Sequence, residues 1–233
     1  MARIVGPIVI LSRFQTPASG HFAAHTWAVQ AASGRRLWTY RSPGAVSRFQ
    51  TPIVTRDALY VLDDDLVAID PRTGEVRWRL PGPADGQALW DADAHGRYVL
   101  RHPGVHSKLL ALDADTGAVR WRVADAIGAM FGDGTAFVTV ADPTLGYDHE
   151  ARSTADGSVL WTGSSNALMF GAIDGVLYGL RYSPATELLL AFDAATGREL
   201  AVYPGTRDID VTSERVLMAT GDGARDVYEP SDR

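Results

Sequence analysis

The sequence contains no cysteine. That removes disulfides, thiolate metal sites and thiol nucleophiles together. Lysine is nearly absent as well. Lys108 stands alone against 21 arginines, and Asn166 is the sole asparagine. This skew reads as GC-rich coding bias and carries no functional information. The apolar run Ile4-Val5-Gly6-Pro7-Ile8-Val9-Ile10-Leu11 is too short to span a bilayer. It also lacks the charged n-region, long h-region and small-residue cleavage site of a signal peptide. There is no excess of positive charge: 22 basic residues face 28 acidic ones, for a net charge of −6. That balance disfavours non-specific binding to nucleic acid or an anionic membrane. No G-x-S-x-G elbow, P-loop or H-E-x-x-H is present, and Ser153 and Ser183 have no base beside them in sequence. The 46% hydrophobic content of the 233 residues is ample for a core.

What is present is a repeat. Ala68-Ile69-Asp70-Pro71-Arg72-Thr73-Gly74-Glu75-Val76-Arg77-Trp78 and Ala111-Leu112-Asp113-Ala114-Asp115-Thr116-Gly117-Ala118-Val119-Arg120-Trp121 both read A-x-D-x-x-T-G-x-x-x-W. A third copy keeps Ala191, Asp193, Thr196 and Gly197 but has Ala201 in the Trp slot. Two weaker copies run from Ala28 to Trp38, through Gly34, and from Ala151 to Trp161, through Gly157. The glycines at 34, 74, 117, 157 and 197 are spaced by 40, 43, 40 and 40 residues. A period near 40 marks an array or a propeller, in which each unit buries its faces on its neighbours.

Within each copy an apolar run such as Leu66-Val67-Ala68-Ile69 predicts a strand. Asp-x-x-Thr-Gly predicts a tight turn, with Asp and Thr bonding the turn backbone and Gly taking the positive φ that a Cβ disfavours. Val76-Arg77-Trp78-Arg79-Leu80 predicts the returning strand of a hairpin. The tryptophans at 38, 78, 121 and 161 each lie four residues after the glycine. One large ring at a fixed place per unit is read as packing between units, over the neighbour's Ala or Gly. Trp27 and Trp90 fall outside this slot.

The A-x-D-x-x-T-G-x-x-x-W pattern resembles the tryptophan-docking repeat of the PQQ-like (quinoprotein) β-propellers, over about residues 1–230. The resemblance implies an all-β fold, a propeller of four-stranded antiparallel blades, with about five full blades plus a partial sixth in one domain, 1–233. Families with this repeat range from quinone-dependent alcohol dehydrogenases to non-catalytic scaffolds, including an outer-membrane assembly lipoprotein. Blades are expected over Ser42–Gly82, Pro83–Asp125, Ala126–Gly163 and Ser164–Gly205. Pro7–Leu11 fits the second strand of a blade, so the chain is expected to begin with little or no first strand. Asp210–Thr220 lines up with Ile53–Leu62 and Asp226–Pro230 with Val67–Pro71, so a sixth unit is expected with three strands of four. Two accounts of the termini stay open: strand exchange that closes a six-bladed ring, or a piece of a longer propeller. The hexapeptide Ser12–Pro17 recurs at Ser47–Pro52, out of phase with the glycines, and nothing in the repeat requires it.

The resemblance also raises a cofactor. The quinoprotein dehydrogenases bind PQQ with calcium, using a Trp platform, Glu and Asn ligands, a catalytic Asp and often a disulfide of adjacent cysteines. With no cysteine and only Asn166, no position here carries over to that site. Asp91-Ala92-Asp93-Ala94-His95-Gly96 has the start of a calcium loop, but the twelfth position holds His102 and not Glu. It reads as a polar turn, as does Asp63-Asp64-Asp65. His95, His102 and His106 flank Pro103-Gly104, a loop, so they share no helix face. Carboxylate pairs for glycoside hydrolysis would come from different blades and show no spacing. The expectation is therefore a non-catalytic scaffold with no cofactor, no metal and a protein partner bound through blade loops. Its structural residues are Trp38, Trp78, Trp121, Trp161, Gly34, Gly74, Gly117, Gly157, Gly197, Asp70, Asp113 and Asp193. The alternatives are part of a PQQ-dependent dehydrogenase and a sensor domain of a membrane-anchored protein. The compartment stays open; the resemblance points outside the cytoplasm if an export segment precedes Met1.

Overall fold

The computed structural model describes residues 2–15, 23–41, 52–62, 65–81, 88–92, 98–102, 109–132, 134–142, 146–182, 187–204, 206–211, 216–220 and 225–228. All regular structure among them is β, in antiparallel sheets whose strands follow chain order. The chain falls into two compact units, Met1–Arg122 and Val123–Arg233.

The first unit holds three four-stranded sheets. The first is β1 (Ala2–Val5), β2 (Ile8–Gln15), β3 (Ala23–Gln30) and β4 (Arg36–Arg41). The second is β5 (Ile53–Val54), β6 (Leu59–Leu62), β7 (Asp65–Ile69) and β8 (Val76–Pro81). The third is β9 (Ala88–Ala92), β10 (Tyr98–His102), β11 (Leu109–Asp113) and β12 (Val119–Val123). The second unit holds two four-stranded sheets and a three-stranded one. They are β13 (Ala126–Gly132), β14 (Thr135–Asp142), β15 (Gly146–Ser153) and β16 (Val159–Ser164); β17 (Leu168–Ile173), β18 (Val176–Tyr182), β19 (Glu187–Asp193) and β20 (Glu199–Pro204); and β21 (Thr206–Val211), β22 (Val216–Thr220) and β23 (Arg225–Tyr228).

One expectation is corrected at the N-terminus. The first blade does have a first strand, β1, which pairs with β2 from Ala2↔Leu11 to Val5↔Ile8. The apolar run Ile4–Leu11 is not one strand but the heart of a hairpin. Gly6 takes φ +56 and Pro7 follows it, giving the two-residue turn that a glycine at the first central position permits. The first copy of the repeated hexapeptide begins in β2. Most of the second copy, Ser47–Thr51, lies outside the described residues.

Successive sheets within a unit bury apolar side chains between them. Ile10, Ala28, Leu59, Val61, Val67 and Ile69 form one such layer between the first two sheets. Tyr60, Leu66, Ala68, Leu112 and Ala114 form the next, between the second and third. In the second unit Phe137, Ala151, Ala167, Leu177, Leu190 and Phe192 join the fourth and fifth sheets. Strand residues point alternately to the two faces, so each inner strand feeds both layers.

Candidate functional site: the tryptophan-docking turns

The five repeat turns share one backbone frame. The amide of the glycine donates to the carbonyl of the residue four before it: Gly34 to Gln30, Gly74 to Asp70, Gly117 to Asp113, Gly157 to Ser153 and Gly197 to Asp193, at 2.8–2.9 Å. All five glycines lie at positive φ, between +67° and +78°. An Asp at the first position adds more. Its carboxylate accepts the amides two and three residues on, as Asp70 does from Arg72 (2.7 Å) and Thr73 (3.2 Å). Asp113 and Asp193 repeat the pattern and also accept the Thr116 and Thr196 hydroxyls. Burial raises the Asp70 pKa, but hydrogen bonds from Arg77 and the two amides outweigh it, leaving the carboxyl below its usual range. For Asp113 the Arg120 hydrogen bond is the largest cause of a similar lowering.

The returning strand carries a bulge. Ala68 pairs with Trp78 and Ile69 with Val76, so Arg77 is the extra residue. The same shift occurs between β3 and β4, β15 and β16, and β19 and β20. A bulge re-aims side chains, and here it puts the tryptophan on the same face as the alanine of A-x-D. It also frees Arg77 to reach back 2.7 Å to Asp70. Arg120 reaches Asp113 in the same way. These two arginines are the residues that the sequence reading passed over; their signal is the D-x6-R spacing.

Each ring then closes on the turn of the next sheet. Trp38 lies over Gly74 and donates its indole N–H to the Pro71 carbonyl at 3.0 Å. Trp78 lies over Gly117 and donates to Ala114 at 2.8 Å. Trp161 lies over Gly197 and donates to Ala194 at 2.9 Å. Behind the ring the row across the sheet is large–Ala–Trp: Tyr60–Ala68–Trp78 and Phe137–Ala151–Trp161. Ring centroids stand 6.0 and 6.2 Å apart, with the alanine fully buried between them. Any larger residue there would push the rings apart. Ala201 takes the tryptophan's place opposite Ala191. Trp121 is buried at 7% exposure in β12.

Against this regular background, the fourth sheet has one unusual row. Gly128, Thr139, His149 and Gly163 lie side by side across its four strands. The matching row of the fifth sheet is Leu168, Leu180, Leu189 and Tyr203. His149 is buried, with Nδ1 3.5 Å from the Thr139 hydroxyl and Nε2 without a partner among the described residues. Burial lowers its pKa to about 4, with Asp148 opposing, so the ring is neutral at pH 7.

Of the other sequence candidates, Asp65 opens β7 and pairs with Arg79 at 3.1 Å. Asp63, Asp64, Asp93, His95, His106 and Ser183 lie outside the described residues, while Asp91 and His102 sit in β9 and β10. Ser153 takes the aspartate slot of its turn and accepts the Ala155 amide. Among the described residues no three His, Cys, Asp or Glu side chains converge as a metal site. No helix there is long and apolar enough to cross a membrane.

The family model for outer membrane protein assembly factor BamB matches residues 16–101. The fold is that of a β-propeller. The solved structure of BamB from Moraxella catarrhalis is similar at a TM-score of 0.60 and 14% identity, covering 98% of this chain and 72% of that one. A computationally designed protein, Ika8, gives 0.67 and 14%, covering 98% and 70%. A europium-containing methanol dehydrogenase gives 0.59 and 12%, covering 88% of this propeller and 50% of the enzyme. At these identities the likeness is one of fold. No curated protein matches the sequence.

Proposed function

We propose that this propeller is a non-catalytic scaffold, one domain over residues 1–233, that binds a protein partner through its blade loops. The observation that carries this reading is where the repeated residues are engaged. Trp38, Trp78 and Trp161 are each closed between a glycine and a carbonyl of the adjoining sheet. The aspartates are bonded to their own turns. The most regular chemistry of the chain therefore joins blades, which leaves the loops between strands to meet a partner. The similarity to a protein named as an assembly factor agrees with this.

Among the described residues we read no arrangement that suits a PQQ–calcium centre. Such a centre needs convergent carboxylates and an amide oxygen. Asn166, the sole asparagine, is exposed in the link between β16 and β17 at φ +50, and no carboxylate cluster accompanies it among the described residues.

The test has two arms. Affinity capture of the full chain from its native cell extract, repeated with blade loops replaced by Gly-Ser segments, is expected to recover a partner that loop replacement removes. In parallel, PQQ with calcium is titrated against tryptophan fluorescence and dye-linked alcohol oxidation. Saturable binding with turnover would overturn the scaffold reading.

A further inference from the structure

We infer that a fixed water molecule is part of the joint between the fourth and fifth sheets, held over Gly163 by His149 and Ser165. The site is internal to the second unit, and the inference does not rest on the scaffold reading.

Two polar atoms call for it. His149 is 3% exposed, and its Nε2 has no hydrogen-bond partner among the described residues. Ser165 Oγ is buried and unpartnered in the same sense. A buried polar atom without a partner costs its desolvation free energy. Both atoms belong to one place. Gly163 pairs with His149 across β15 and β16. Ser165 follows two residues after Gly163, at the diagonal position from which side chains still reach one another. Arg181 of β18 donates its Nε to the Ser165 carbonyl at 2.8 Å, which anchors this link against the fifth sheet.

Space for a water is present at the same point. In the outer strands of the first, second and fifth sheets the corresponding residues are Tyr40, Leu80 and Tyr203, opposite Thr26, Leu66 and Leu189. The fourth sheet has Gly163 there. His149 is close to leucine in size, and Thr139 stands in the place of Leu180, so neither makes up the lost volume. A Cβ on Gly163 would meet only Trp161 Cζ3 among the described residues, at 3.7 Å. Other glycines of this joint are tightly covered. A Cβ would stand 2.5 Å from Ala172 Cβ at Gly132 and 2.7 Å from Met169 Sδ at Gly179. A glycine inside a strand with no side chain over it marks a place where a ligand approaches closely.

The chemistry selects water over other guests. The imidazole is neutral at pH 7, and no group of acidic and histidine side chains converges beside it among the described residues, so nothing gathers a cation. Arg181 is engaged already, by the Ser165 carbonyl and by Glu199 at 3.7 Å, which disfavours an anion. An apolar guest would leave both polar atoms orphaned. A water both donates and accepts, so it satisfies Nε2 in either tautomer of the ring while it bonds the serine hydroxyl. Two polar partners suffice to hold a buried water. The water ties β15 to the link that leads into the fifth sheet, and it gives the row Gly128–Thr139–His149–Gly163 a role.

Magnetic relaxation dispersion of the water oxygen, measured on the full chain, counts waters that stay inside longer than the protein takes to tumble. Ser165→Ala, His149→Leu and Gly163→Ala are each expected to lower the dispersion amplitude by about one water. Thermal melts give a second reading. The φ of Gly163 lies outside the left-handed region, and a methyl group there meets only an ordinary contact. Over an empty space, alanine would therefore raise the melting temperature by restricting the unfolded chain. Because it displaces the water and strands both polar atoms, Gly163→Ala is expected to lower it instead. Gly128→Ala, at the far end of the row, has only Thr139 within 4 Å and no left-handed φ, and should keep the parent's amplitude. If His149→Leu does not fold, the serine and glycine variants still decide. An amplitude unchanged in Ser165→Ala and Gly163→Ala overturns the inference. So does a higher melting temperature for Gly163→Ala. An equal loss in Gly128→Ala would place the water elsewhere in the row, and would overturn it too.

Discussion

Gly117 lies directly beneath Trp78: a Cβ on the glycine would stand 2.8 Å from ring atom Cε3. The contact explains a residue choice that the turn alone does not. A positive φ favours glycine in all five turns, but only a covered turn also forbids the methyl group.

Gly117→Ala should therefore cost about 3 kcal/mol, combining left-handed backbone strain with overpacking against the indole. Gly34→Ala has only the strain, and should cost about 1 kcal/mol. Denaturant midpoints of the two variants measure the difference. Equal losses would mean that ring contact is not what fixes glycine at position 117.

Trp78→Ala should lose about 3–5 kcal/mol, as large-to-small core changes do. Trp78→Phe keeps most of the ring but leaves the Ala114 carbonyl without its 2.8 Å donor, so about 1–3 kcal/mol is expected from that bond and the smaller ring. Trp121→Ala is expected to match Trp78→Ala. The sheet with Ala201 lacks the ring altogether, and its outer strand β20 should exchange amide hydrogens faster than β8 or β16. Urea titrations and hydrogen-exchange mass spectrometry check both statements.

Tyr60 should tolerate loss of its hydroxyl. The side chain is fully buried and its oxygen has no hydrogen-bond partner among the described residues, while Phe137 fills the same place in the fourth sheet. Burial also pushes the phenol pKa upward, keeping it neutral. Tyr60→Phe is expected to leave stability unchanged or raise it by about 1 kcal/mol. A clear fall in melting temperature would show that the hydroxyl is bonded in solution.

His149 should make the fold sensitive to mild acid. Its folded pKa, about 4, lies below the ordinary 6.5. As pH falls through 6.5 the unfolded chain takes up a proton that the folded chain refuses until about pH 4. Stability therefore declines across that interval, by roughly 3 kcal/mol at most, and the effect is absent above it. His149→Leu, which copies Leu66, Leu109 and Leu189, should flatten this part of the stability–pH profile. An unchanged slope would place the sensitivity elsewhere.

What could be read from the sequence follows the range of the interactions. The Asp-x-x-Thr-Gly turns were legible because all their bonds close within six residues. The fixed tryptophan announced packing. Which turn each ring covers was not legible, since the one-residue bulge at Arg77 decides the direction in which Trp78 points. The first strand was hidden because Gly6 and Pro7 split one apolar run into two strands. The row Gly128–Thr139–His149–Gly163 is assembled from four strands and has no local pattern. Its one trace in sequence is that His149 stands eight residues before Gly157, where three other copies have leucine.

The docking joint also has a direction. A tryptophan always reaches forward, from the first sheet to the second, the second to the third, and the fourth to the fifth. Each of these three joints has its plug on one blade and its socket on the next, like a coupling of fixed gender. Units built this way concatenate in a single sense, and a cassette of about 40 residues can be gained or lost by recombination without redesigning either neighbour. Blade number is then an easy variable for such a lineage, while the joint itself is the part that selection must hold constant.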